Sequence, residues 1–449
     1  MSYNGTDNGY AVFDRVRIPR TNLLMRHCKV TRDGSYFSSP LRQKLMFGGL
    51  LNGRSIIIRC AVFQLAQALT ITTRYSTVRQ QGSPSALGNE KAIIHYKHQH
   101  FRLLSLIARC YITILAWKSA NASHAELKAR RENGDHSTLP YIHMLMCGLK
   151  AWSTQTAADG AEEARKMCGG HGYIIISGLS EIVTSVTATC TLEGENFVMW
   201  NQVARYMLKG FGALPVPKDM AYMDCYDFSY QHQACGAKGE QFLDHNVLLE
   251  IFKRRAARLA HEVHDQVKAS ESSSKSRLEA ENIHGLQLLV TGRAHIEVFL
   301  LSESMTQLAM LPASIPTSIK TVLHRLVSLF ALTTIANPIA QFSSSFLGDG
   351  YLTNSHLNEI RQQIDILLEA LLPDAIALTD AWCFSDASLA SAIGCADGDV
   401  YTRLLAWTRQ LPINVQAKKD GEVFKRGWEE YIKPFLNRDL SHLEVKAKL

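Results

Sequence analysis

The chain of 449 residues lacks the marks of several protein classes. It has no arginine-rich arm and no basic tract. A net charge of +7 spread over this length is mild, so nucleic acid is not an expected partner. The ten cysteines follow no regular spacing, and Cys60, Cys110 and Cys147 lie among aliphatic neighbours. That excludes a disulfide framework and reads as buried, reduced thiols. No charged-then-apolar leader opens the sequence. No stretch holds the uninterrupted apolar length of a membrane span, so a soluble protein is expected. His95, His98 and His100, His261 with His264, and Cys168 with His171 come nearest to metal sets. None completes a ligand pattern, so no metal site is expected. A dinucleotide fingerprint begun at Gly170 would need glycine at 175, which is Ile175. No internal repeat is evident.

What remains is an ordinary globular composition, 46% hydrophobic and 20% charged, long enough for two or three domains. Asn8-Gly9 is a turn signal, and Tyr10 to Ile18 alternates before Pro19, which predicts a strand. From about residue 42 the period becomes helical. Ile58, Val62, Leu65 and Leu69 line one face up to Gly82-Ser83-Pro84. A second helix carries Phe101, Leu104, Ala108, Tyr111 and Leu115 and stops near Asn133-Gly134-Asp135. A third runs from about Pro140 to Cys168, broken by Gly169-Gly170-His171-Gly172, and a fourth from Asn196 to about Gly210. Residues 213–244, with Pro215 and Pro217, read as a linker. A second block is predicted at about 245–270, 280–311, 318–346, 355–381 and 399–410. The fold class is therefore mainly α, as bundles.

Three stretches carry chemistry. Asp7 to Arg20 is the first and Arg74-Tyr-Ser-Thr-Val-Arg-Gln-Gln81 the second. The third is Cys168-Gly-Gly-His-Gly-Tyr173 with Cys190-Thr-Leu-Glu-Gly-Glu-Asn196. Read on their own, Glu193 and Glu195 are acidic residues at a helix N-terminus. Arg79 is a solvated arginine at a helix end, Gly169-Gly170 a helix stop and Asn196 a cap. Taken in order, the set resembles the peroxisomal acyl-CoA oxidases of the acyl-CoA dehydrogenase superfamily. The likeness runs on through Asp374-Ala-Ile-Ala-Leu-Thr-Asp-Ala381 and Asp397-Gly-Asp-Val-Tyr401.

The resemblance implies a chemistry. Such oxidases remove a proton beside a thioester carbonyl and a hydride from the next carbon, using FAD, and pass the electrons to O2. The proton step calls for a carboxylate in a dry site and donors on the thioester oxygen. By resemblance Glu193 is the base, in Leu192-Glu193-Gly194, with leucine where an aromatic residue is usual. Gly194 lets backbone approach the acyl-CoA, and the Glu193 amide is a thioester donor. Arg79, Gly169, Gly170 and Asn196 are implied flavin contacts, Arg79 at the pyrophosphate and often across a subunit interface. Arg74 is expected to be structural or on the surface.

Ala447-Lys448-Leu449 is one small residue from a peroxisomal address, implying an import receptor and a peroxisomal location. The implied architecture is two helical-bundle domains after a remnant of a β-domain: 1–40 the end of a barrel, 41–212 the bundle with the site, 213–244 the linker and 245–449 a C-terminal helical domain. The barrel's remainder and a helical domain are expected upstream of Met1. Implied partners are a second copy or a full-length homologue. The alternative is a non-catalytic oxidase-like protein that only pairs with such a homologue. Both β-oxidation and tailoring of an acyl chain fit.

Overall fold

Apolar residues at helical spacing fold as that spacing requires. In the computed structural model, Ile58, Val62, Leu65 and Leu69 are all buried along α1 (Arg42–Val78). The structure describes residues 6, 9–25, 28–38, 42–82, 90–211, 216–226, 228, 234–273, 275–339, 343–419 and 421–436, without the side chains of 42–48, 417, 419 and 422–424. α2 (Lys97–Glu132) buries Phe101, Leu104 and Ala108 and ends where Gly134 takes a φ of +79°. α3 (Leu139–Met167) has Pro140 in its first turn, where the missing N–H costs nothing. α3 is the hub of the first bundle, packed on α1 and α2 and on two later helices, α5 (Leu179–Ala188) and α6 (Asn196–Gly210).

The second block holds α7 (His245–Ser272), α8 (Arg277–Ile283), α9 (Gly285–Ala309), α10 (Thr317–Ile335), α11 (Ser344–Leu347), α12 (Asn354–Leu371), α13 (Ala375–Asp380), α14 (Asp386–Leu389) and α15 (Val400–Gln410). Short helices α16 (Pro412–Lys419), α17 (Gly421–Gly427) and α18 (Lys433–Leu436) follow. α9 packs on α2, α3 and α6, so one apolar cluster continues through both blocks. The structure is mainly α, with two described strands, β1 (Cys28–Val30) and β2 (Tyr36–Ser38), paired antiparallel.

Four expectations need correction. Tyr10 to Ile18 is not a strand. Tyr10 and Phe13 are exposed and Arg15 has a φ of +50°. A strand pattern needs a pairing partner, and among the described residues none faces this one. The segment read as a linker is packed where described. Its 3-10 turns Lys218–Cys225 and Gly239–Leu243 bury Met220, Met223 and Phe242 in the core. The Gly169 break is itself a turn of helix, α4 (Gly169–Tyr173), and α5 was not anticipated.

Finally, three helices are long and apolar enough by length and composition to cross a membrane: Gly49–Val78, Lys97–Glu132 and Thr317–Ile335. Their apolar windows are 61%, 56% and 50% buried against other helices, because a helix at the centre of a bundle is apolar on several sides.

Candidate active site

The loop between α5 and α6 holds Glu193 in an unusual backbone state. Glu193 has a φ of +57° and Gly194 one of +113°. Glycine takes such a conformation freely, but a glutamate does not, so surrounding contacts must enforce it. Lys150 of α3 does much of this. It is fully buried, and its ammonium donates to the carbonyls of Cys190 at 2.9 Å and Gly194 at 2.6 Å and to Asn196 Oδ1 at 2.9 Å. Burial pushes its pKa down to about 8. Thr154, one turn along α3, donates to the same Asn196 oxygen at 3.1 Å. Arg54 of α1 donates through Nε to the Glu193 carbonyl at 3.3 Å. Beside it, burial first and the Arg54 charge second push His143 down to about 4, so its ring stays neutral at ordinary pH.

The two acidic residues of the loop have different jobs. Glu195 caps α6, its carboxylate accepting from Phe197 N at 2.9 Å and Val198 N at 3.3 Å. Glu193 caps nothing. Its Oε2 is buried without a partner among the described residues, and its backbone N–H has no acceptor there either. The carboxylate lies against Gly53 of α1, where a Cβ would collide with it. Leu50 and Ile56, three residues either side of Gly53, are exposed, as are Leu192 and Phe197. The carboxylate is thus rimmed by apolar side chains open to whatever covers them.

Arg79, just past the other end of α1, meets neutral partners. It donates to the Tyr401 hydroxyl at 3.1 Å and to Gln81 Oε1 at 3.3 Å. It shares a cleft of about 420 Å³ with Gly169, Tyr96 and Lys166. Gly169 has a φ of +59°, and a Cβ there or at Gly170 would meet open space. Tyr75 hydrogen-bonds His171 at 2.8 Å, tying α1 to the Gly-Gly turn. Arg74 is structural and not on the surface. It is buried, paired with Asp380 at 2.8 Å and Asp386 at 3.3 Å, and it donates to Gly394 O at 2.9 Å.

The structure therefore brings Arg79 to Gly169 and Gly170, and Asn196 to Glu193, but it separates the two groups. Gly53 and Arg79 stand 79 − 53 = 26 positions apart on one helical line, which is about 39 Å at about 1.5 Å per residue. Asn196 lies buried under the Glu193 loop, its Nδ2 without a partner among the described residues, and not in the Arg79 cleft. Ala447, Lys448 and Leu449 fall outside the described residues.

Family models match both helical blocks. The C-alpha1 domain of acyl-CoA oxidase matches residues 47–208, and the acyl-CoA oxidase model matches 244–437. The chain belongs to the acyl-CoA oxidase family. It is 33% identical over 446 residues to peroxisomal acyl-coenzyme A oxidase 1 of Arabidopsis thaliana, an alignment covering 98% of this chain and 64% of the relative. The solved Arabidopsis thaliana acyl-CoA oxidase 1 superposes with a TM-score of 0.85 at 32% identity, over 94% of this chain and 63% of that one. Acyl-CoA oxidase-2 of Caenorhabditis elegans, bound with FAD, ascaroside-CoA and ATP, gives 0.82 at 29%, over 94% and 61%. The chain thus spans less than two thirds of the relatives' length.

Within this oxidase-family site, three residues escape a reading of the sequence. Lys150 sits in the run Cys147-Gly-Leu-Lys-Ala-Trp152, where its neighbours on both sides are apolar. A lone charge in such a run is the signal that could have marked it. Arg54 and Gly53 carry no signal, since neither residue type is unusual in a helix.

Proposed function

We propose that this chain supplies the catalytic base and flavin-phosphate contacts of an FAD-dependent acyl-CoA oxidase, converting acyl-CoA and O2 to trans-2-enoyl-CoA and H2O2. The observation that carries this is the Glu193 carboxylate, held in a strained turn with a buried oxygen that bonds none of the described residues. A structural glutamate would use that oxygen, whereas a base must keep it free for the substrate.

The residues also fit the cofactor. Among the described residues Arg79 is a guanidinium whose hydrogen-bond partners are uncharged, facing a cleft, next to two glycines over open space. Its fork matches phosphate oxygens, and bare backbone allows their approach. FAD, when bound, supplies the hydride acceptor and delivers the electrons to O2.

The chain's own residues do the remainder. Glu193 accepts the proton from the carbon beside the thioester carbonyl. Its unspent N–H suits the thioester oxygen, on which charge builds as that proton leaves. Lys150 and Arg54 hold the loop carbonyls and so keep the carboxylate aimed. The apolar rim at Leu50, Ile56, Leu192 and Phe197 suits an acyl chain and keeps water from the base.

The separation along α1 supports a dimer in which one chain's Glu193 and the other's Arg79 serve one flavin. Relatives named peroxisomal and the terminal Ala447-Lys448-Leu449 support a peroxisomal location. The test is acyl-CoA-dependent peroxide release by the FAD-loaded protein and by its Glu193→Gln variant. Release that survives the substitution would refute the assignment.

A further inference from the structure

Away from both ends of α1, a cleft of about 500 Å³ opens among α2, α3, α6 and α9. Arg109 of α2 and Arg293 of α9 both line it. Both guanidiniums stand over the Trp152 ring, at 5.8 Å and 5.4 Å from its centroid. The same two arginines line an adjoining cleft of about 320 Å³, which adds Arg255 and Glu297.

The charges there do not balance. Glu297 is buried and is the one carboxylate for three guanidiniums. It accepts from Arg293 at 3.1 Å and from Arg255 at 2.5 Å. No hydrogen bond or ion pair joins the Arg109 guanidinium to any described residue, although burial and the nearby Arg293 hold its pKa below the usual guanidinium range. The larger cleft adds Asp159, which accepts from the neutral Gln155 and whose charge acts on Arg109, and Glu163, which pairs with Arg102, so three lining guanidiniums meet two carboxylates there.

Unspent donors gather in the same place. Trp152 is 2% exposed, and its Nε1–H has no acceptor among the described residues. Ser105 is 8% exposed, and neither its hydroxyl nor Arg255 Nε has a partner among them. Buried donors are normally satisfied, so Trp152 Nε1 and Ser105 Oγ in the larger cleft and Arg255 Nε in the adjoining one, beside the Arg109 guanidinium, describe a missing acceptor with negative charge. Guanidinium forks fit phosphate oxygens, and the cleft has room for more than a bare ion.

We infer that this cleft binds a small phosphate-bearing molecule, its oxygens between Arg109 and Arg293 and its organic part along Trp152, Phe101 and Trp200. Arg102 borders both this cleft and the Arg79 cleft, but neither Glu193 nor Arg79 lines this one, so it is tested apart from the oxidase reading.

The full chain is titrated with inorganic pyrophosphate and with a nucleoside triphosphate, reading tryptophan fluorescence and thermal midpoint. Citrate at equal ionic strength is the phosphate-free control. Saturation by either phosphate probe is expected, weakened tenfold or more by Arg109→Gln and by Arg293→Ala and unchanged by Arg130→Ala, an exposed arginine of α2 outside the cleft. The pyrophosphate and triphosphate arms separate a bare phosphate ligand from a nucleotide. Arg293 is half exposed, at 52% of its side chain, so its variant keeps the test valid if Arg109→Gln misfolds. No saturable response to either phosphate, equal affinity for citrate, or an affinity that Arg293→Ala leaves unmoved would overturn the assignment.

Discussion

The two ends of α1 present opposite solutions to placing a polar group. At the Glu193 end the backbone is strained, a buried ammonium grips three oxygens, and a glycine is needed so that the carboxylate fits at all. At the Arg79 end the partners are a tyrosine hydroxyl and an amide, the glycines face open space, and the cleft is wide. Proton transfer tolerates little misplacement, whereas holding a phosphate needs charge and access. The contrast suits the roles proposed for the two ends: one end is over-determined by buried contacts, and the other is left open to a group from outside the chain.

Substitutions at the first end should therefore cost the most. Glu193→Gln keeps the shape of the side chain but cannot take the proton, so substrate-driven reduction in stopped-flow should slow by about 10²–10⁴-fold. Flavin content should hold, and a loss of flavin would instead mark Glu193 as a structural residue. Gly53→Ala sharpens the same point. Alanine favours a helix by about 1 kcal/mol over glycine, yet its Cβ would displace the carboxylate. Turnover should fall by about 100-fold while the helical circular dichroism persists. Unchanged turnover would mean that Gly53 does not shape the base.

At the second end the effect should fall on binding alone. Arg79→Ala should weaken flavin affinity by about tenfold or more, the worth of one charged hydrogen bond, without lowering the rate at saturating FAD. A fall in rate at saturation would break the division of labour between the two ends.

The smallest effect concerns pH. Burial holds His143 down to about 4, against the ordinary histidine value of 6.5. Between those values the unfolded chain binds a proton that the fold refuses. The stability present above pH 6.5 is therefore lost as pH falls toward 4. Thermal midpoints should drop over that window, and less so in His143→Gln. An equal drop in both proteins would remove His143 from the account.

Helices were easy to read wherever an apolar stripe ran long. Ile58 to Leu69 on α1 and Phe101 to Ala108 on α2 are buried as their spacing implies. The stretch from Tyr10 to Ile18 misled because alternation describes a strand's faces and not its partner. α5 went unseen because ten residues after a glycine-rich turn give too little period to register. The loop motif marked Glu193, but the motif is silent on what bends it. Lys150 lies 43 positions earlier (193 − 150), and only folding brings it beneath the loop. The distance between Glu193 and Arg79 was equally hidden, since the motifs name residues without the helix that parts them. The α9 face against α2 and α3 was hidden too, because contacts between blocks have no local period.

The central claim is that the two ends of α1 serve different flavins, one chain's Glu193 working with its partner's Arg79. Mixing Glu193→Gln chains with Arg79→Ala chains at limiting FAD tests it directly. A mixed dimer would hold one doubly damaged site and one intact site, so acyl-CoA-dependent peroxide release should reappear that neither variant shows alone. Mixed dimers that form but recover no activity would place both residues at the same chain's site and contradict the account.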